Sequence, residues 1–137
     1  MEVKSLISKE NLFTTTGRRC RKDYFLISLF WGVVFSIVGA ILGLCFIPQK
    51  TISMLVSLCS LYPNYCNNVM RLHDLDKDNG WAIVILVCGL CLNVSISFIG
   101  SMGVSAGLLF VCLIVGLYML FVKGTTGSNK YGEDPLK

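Results

Sequence analysis

NGWAIVILVCGLCLNVSISFIGSMGVSAGLLFVCLIVGLYMLFV, residues 79–122, runs for 44 residues without a charge between Asp78 and Lys123. A helix needs roughly 20 apolar residues to cross about 30 Å of hydrocarbon, so this stretch is long enough for two crossings. It also supplies its own turn: Ile99-Gly100-Ser101-Met102-Gly103 places two glycines and a serine near the middle. Working outward, 26 uncharged residues, Tyr24 to Gln49, separate Asp23 from Lys50, and a further 20, Thr51 to Met70, separate Lys50 from Arg71. The second of these is the more polar, because Pro63, Asn64, Asn67 and Asn68 fall in its later half.

The predicted fold is therefore all-α, a polytopic membrane protein with four transmembrane helices arranged as two helical hairpins. The helices are expected at Tyr24–Ile47, Ile52–Arg71, Trp81–Phe98 and Val104–Val122, with the Leu72–Gly80 loop joining the hairpins. Residues 1–23 form an N-terminal segment, 24–122 the membrane domain and 123–137 a C-terminal tail. Composition agrees. Of 137 residues, 54% are hydrophobic and only 15% charged, more apolar surface than a water-soluble chain of this size can bury. The apolar core of the first helix is longer than a signal-peptide h-region of roughly 7–15 residues, and no A-x-A pattern follows it. Leu44, before Cys45, stands where a lipoprotein signal needs a small residue. This helix is expected to stay in the mature protein.

Orientation follows from the positive charges near the span ends. Lys4, Lys9, Arg18, Arg19, Arg21 and Lys22 precede the first helix, Arg71 and Lys77 flank the central loop, and Lys123, Lys130 and Lys137 lie in the tail. Four crossings put all of these on one side and leave Lys50 alone on the other, so both termini are expected in the cytoplasm. Val3, Leu6, Ile7 and Phe13 also suggest a short amphipathic helix lying in the interface.

Helices already in lipid associate through close packing and polar contacts. Gly39 and Gly43, Gly103 and Gly107, and the stripe Gly89, Asn93, Ser97 provide both, and packing within one chain is expected ahead of a homo-oligomer. No Asp, Glu, Lys, Arg or His lies in the middle of a span, which counts against a proton-coupled transporter. The competing reading is a small transporter or channel subunit that acts as an oligomer, with Asn93, Ser95 and Ser97 lining a pore.

Other chemistries find little support. Cys88-Gly-Leu-Cys91 sits inside a span with no second C-x-x-C, so neither a redox nor a zinc site is expected. Asp74-Leu-Asp76-Lys-Asp78-Asn-Gly80 opens like a calcium loop, but its sixth residue is Asn79 and its twelfth is Ile85, not Gly and Glu. What it leaves is a weak divalent-ion contact by the three carboxylates. His73 and Asp74 are adjacent and accompany no nucleophile motif, so no enzyme activity and no cofactor are expected. The basic residues lie against the membrane and belong to no base-reading motif, which argues against nucleic acid.

Three blocks remain: Gly17-Arg18-Arg19-Cys20-Arg21-Lys22-Asp23-Tyr24; Pro63 with Arg71-Leu72-His73-Asp74 and Gly80-Trp81; and Gly124-Thr125-Thr126-Gly127-Ser128-Asn129-Lys130-Tyr131-Gly132-Glu133-Asp134-Pro135. In this order they resemble the domain-of-unknown-function 805 family of small bacterial inner-membrane proteins. The resemblance extends from about Phe13 to Pro135 and implies a bacterial inner-membrane location, without supplying a molecular activity. Met70 stands where the family usually has an arginine, and the stretch from Asp74 to Gly80 is one residue longer than usual. All three blocks fall on the expected cytoplasmic face. They are expected to form one polar cluster of Arg18, Arg19, Arg71, His73, Asp74, Asn129, Lys130 and Tyr131. Two roles stay open for it: locking helix ends together, or binding anionic lipid headgroups or another membrane protein.

Overall fold

The computed structural model describes residues 12–136. The amphipathic segment expected at the N-terminus lies outside the described residues except for its last part, at Leu12 and Phe13. Four α-helices follow: α1 Arg21–Leu44, α2 Gln49–Asp74, α3 Gly80–Val94 and α4 Met102–Phe121. A π-helical turn, Ser95–Ile99, prolongs α3, and Gly100 closes it in the left-handed region (φ 67°), its N–H donating to Ser95 O at 3.0 Å. Consecutive helices pack on one another, and α1 meets α4 more lightly. The segment just before α1 and the tail after α4 meet at the same end of the bundle.

Among the described residues, three helices are long and apolar enough to cross a membrane: Arg21–Leu44, Gly80–Ile99 and Met102–Phe121. The exception is α2, which carries most of the polar groups and most of the buried residues. It also differs from expectation in extent. Leu72, His73 and Asp74 are its last helical turn, not the start of a loop, and the connection to α3 shrinks to residues 75–79. A Schellman arrangement explains this stop: Lys77 N–H donates to Leu72 O (2.9 Å) and Asp76 N–H to His73 O (3.2 Å). Asp76 takes the left-handed position (φ 55°), a conformation that Asp tolerates better than most residues.

The apolar core is concentrated near the C-terminal end of α2, where Val69, Leu72, Leu75, Ala82 and Met119 pack together. Elsewhere large side chains such as Leu44, Phe110 and Phe121 point outward, the distribution expected when lipid and not water surrounds the helices. Polar contacts tie the helices: Asn67 Nδ2 donates to Ser28 Oγ (2.8 Å), Tyr24 Oη to Asn68 Oδ1 (3.2 Å), and the hydroxyls of Ser53 and Ser97 (3.1 Å) and of Ser95 and Ser105 (2.9 Å) pair. Of the glycines expected at helix contacts, Gly39 faces α2, where a Cβ would lie 3.9 Å from Ile52. A Cβ at Gly43, Gly89, Gly103 or Gly107 would meet nothing within 4 Å.

Candidate functional site

The site is built on the C-terminus of α2. A helix ends with four carbonyls that lack intrahelical partners, and at this end they must be satisfied without ready access to water. The tail provides the donors. Thr125 gives Asp74 O both its backbone N–H (2.8 Å) and its hydroxyl (3.1 Å), and Asn129 Nδ2 donates to His73 O (2.9 Å). Asn129 Nδ2 also reaches Thr125 Oγ1 (3.0 Å), while its Oδ1 accepts from Tyr131 N–H (2.9 Å), so one side chain organises the tail turn.

At the centre is the Asp74 carboxylate. Its Oδ1 accepts from Arg18 Nη2 (3.0 Å) and Nε (3.3 Å), and its Oδ2 accepts from Arg71 Nη1. All three residues are buried, at 8% exposure for Arg18, 4% for Asp74 and 0% for Arg71. Burying ions this deeply is tolerable only if the remaining donors are also used. They are. Arg71 donates from Nε to Met119 O (2.7 Å) and from Nη2 to Val122 O (2.5 Å), capping the end of α4. Arg18 donates to Gly127 O (2.5 Å), to Thr125 Oγ1 (3.0 Å) and to Thr125 O. A single carboxylate thus joins the segment before α1, the end of α2, the end of α4 and the tail.

Gly124 is part of that closeness. A Cβ at this position would overlap the Asp74 carboxylate, so the requirement for glycine here is steric. His73 lies on the other side of the α2 end. Its Nδ1 donates to Gly17 O (3.0 Å), its Nε2 meets Asn79 Oδ1 (2.5 Å), and the Tyr131 ring stacks on it with centroids 3.8 Å apart and planes at 7°.

The outermost layer is solvent-exposed. Asp78 Oδ1 accepts from Lys130 Nζ (3.1 Å) and Tyr131 Oη (3.0 Å), and Lys130 Nζ lies 4.9 Å from the Tyr131 ring centre. Hydrogen bonds from Lys130, then from Tyr131, hold the Asp78 carboxyl below its ordinary value. Contacts with Tyr131, then with Asp78, raise the Lys130 ammonium. A lowered carboxyl stabilises the folded state above its ordinary pKa near 4, and that contribution is lost as pH falls through the lower folded value. Hydrogen exchange over residues 129–132, corrected for intrinsic rates, is therefore expected to stay flat from about pH 8 to 5 and to rise only below about pH 4. Replacing Asp78 with Asn should abolish that acid step.

Of the eight residues expected to cluster, seven meet around the α2 end: Arg18, Arg71, His73, Asp74, Asn129, Lys130 and Tyr131. Arg19 turns away from Asp74. Its backbone N–H donates to Met70 O (3.0 Å) and its Nη1 to Asn67 Oδ1 (2.5 Å), and burial lowers its pKa to about 10. The donors of Arg18 and Arg71 expected to face phosphate face protein acceptors. The carboxylates of Asp74 and Asp78 have separate partners, and no three acidic, His or Cys side chains are grouped to hold a metal ion among the described residues. Sequence reasoning missed several participants, among them Asp78 and Asn79, read only as part of a failed calcium loop. Thr125 and Gly124 lay inside a quoted block without an assigned role, and Asn67 counted only as polarity within a span.

No solved structure matches this chain. Inner membrane protein YhaI of Escherichia coli strain K12 is 30% identical over 126 residues, covering 92% of this chain and 89% of that protein. The uncharacterized protein YiiR of the same strain is 28% identical over 128 residues, covering 90% and 86% respectively. A family model described as protein of unknown function (DUF805) matches residues 12–133, a span that holds every contact of the α2 clamp. The chain belongs to the DUF805 family, whose relatives include an inner membrane protein.

Proposed function

We propose that this protein is a non-enzymatic, four-span inner-membrane protein with an interaction role, both of its termini lying in the cytoplasm. Its cytoplasmic cluster is a clamp that fixes a platform for anionic lipid or a membrane partner. The carrying observation is the buried Asp74 carboxylate shared by Arg18 and Arg71. Such an arrangement holds separate segments in one geometry and leaves its guanidinium donors engaged within the protein.

The reading of α2 as a fourth span rests on its 26 residues and on the pairing of Ser53 and Asn67 with Ser97 and Ser28 of neighbouring helices. At about 1.5 Å per residue it is roughly 39 Å long, enough to cross. The eleven positive charges expected on one side support the orientation. Against a pore, the hydroxyls of Ser95 and Ser97 are engaged in interhelical pairs.

Reporter fusions after Lys50, Lys77 and Lys123 test the topology. The first is expected outside, the other two in the cytoplasm, and an external Lys77 would overturn the four-span reading. A photo-crosslinking residue in place of Lys130, irradiated in intact membranes, tests the interaction role. A lipid or discrete protein adduct is expected; a chain that forms none defeats that half of the proposal.

A further inference from the structure

We propose that the cleft between α2, α3 and α4 is a binding site for one anionic glycerophospholipid, its phosphate held between Lys77 and Lys123 and its acyl chain along the cleft. This inference rests on the four-span reading, which places both lysines at the same membrane surface.

The cleft has a volume of about 820 Å³, within the range of about 300–1,000 Å³ usual for ligand sites. Val84, Val111 and Val115 give it an apolar wall. Asn64 and Asn93 also line it, and neither side-chain amide has a hydrogen-bond partner among the described residues. An unsatisfied amide facing hydrocarbon is costly. The ester carbonyls of a phospholipid are acceptors of the kind these amides lack.

At the C-terminal end of α2, Lys77 and Tyr118 continue from the cleft into a shallow groove also lined by Lys123, Thr125 and Thr126. The two lysines come from different segments, and the clamp described above sets both. Lys77 follows the Schellman stop of α2, its N–H fixed on Leu72 O. Lys123 lies between Val122, whose carbonyl accepts from Arg71, and Gly124, packed on Asp74. Both side chains are exposed, and neither forms an ion pair among the described residues. Asp78, which follows Lys77 in the same loop, is engaged by Lys130. A pair of free cations at the mouth of an apolar cleft is complementary to a phosphodiester attached to an acyl chain. Trp81, half exposed beside Lys77 on the cleft wall, suits the interfacial depth of that headgroup.

The test is native mass spectrometry of the full chain in detergent, titrated with equal amounts of phosphatidylglycerol and phosphatidylethanolamine. Two lysines contribute about 1 kcal/mol each near an anionic surface, or roughly thirty-fold together, so the wild type should retain phosphatidylglycerol by about that factor. Lys77→Gln with Lys123→Gln should reduce the preference to below about three-fold without changing the melting temperature. Gly116→Leu, which fills the α4 wall of the cleft where a Cβ has open space, should reduce retention of both lipids. Equal retention of the two lipids by the wild type, or a preference untouched by the lysine changes, overturns the proposal. So does saturable binding of glycerol phosphate that competes with the lipid at equal affinity, which would mark a soluble phosphate site. Loss of the four-span reading would show in the fusions after Lys77 and Lys123; correct topology with no lipid preference defeats this inference alone.

Discussion

Asp74→Asn is expected to be the most damaging single substitution, lowering stability by about 3–5 kcal/mol, the usual cost of removing one partner from a buried ion pair. The change keeps size and shape, so the effect isolates charge. With Asp74 ionised, two buried guanidiniums share one carboxylate, and the group carries a net single positive charge. With asparagine both cations lose their counterion, and the new amide N–H₂ presents donors to donors. Total stabilities are only about 5–15 kcal/mol, so the loss takes a large share of the margin. A fall of 10 °C or more in the melting midpoint in detergent is expected. Trypsin should cut at Lys123 and Lys130 sooner, because the same residue accepts from Thr125 and so anchors the tail. Arg18→Met should cost less, since Asp74 keeps Arg71. A variant that melts within about 2 °C of wild type would show that the carboxylate is dispensable.

Gly124→Ala is expected to be nearly as harmful, although it adds one methyl group. The new Cβ would occupy space held by the Asp74 carboxylate, closer than real contacts allow. That carboxylate cannot retreat without leaving Arg18 or Arg71. The backbone must move instead, at about 1–3 kcal/mol for overpacking, with part of the tail capping lost in addition. Gly116→Ala provides the contrast. It lies within α4 with open space around its Cβ, and it should stabilise by about 0.5–1 kcal/mol through helix propensity. A double-mutant cycle sharpens the reading: in an Asp74→Ala background the cost of Gly124→Ala should largely vanish. An undiminished cost there would mean that the glycine answers to something other than the carboxylate.

Much of the fold was legible because hydropathy acts over whole helices. The blank of charge from Asn79 to Val122 and the Gly100 turn define the second hairpin almost to the residue. The end of α2 was less legible. Leu72-His73-Asp74 looks like the start of a polar loop, yet it is a helical turn whose polar groups are satisfied by segments far away in sequence. Local composition cannot reveal that Arg18 will use its donors on a tail 107 residues further on. The pairing of Arg71 with Asp74 was readable from their spacing of three, whereas the departure of Arg19 toward Asn67 was not, because adjacent arginines give no hint of opposite directions. Small-residue spacing was the weakest guide. Gly39 sits at a helix contact as expected, but Gly103 and Gly107 do not.

The separation between Arg18 and Thr125 also sets an order of events during synthesis. Arg18 emerges before α1 to α4, and its partner Asp74 follows only with the end of α2. The carbonyls of Thr125 and Gly127 arrive only after α4 has been translated. Until then the early arginine is only partly solvated by protein and the end of α2 lacks the donors of Thr125 and Asn129. Assembly of the bundle is therefore completed by its last-made part, and a chain interrupted after α4 would hold α1 to α4 yet lack the contacts that seal the end of α2.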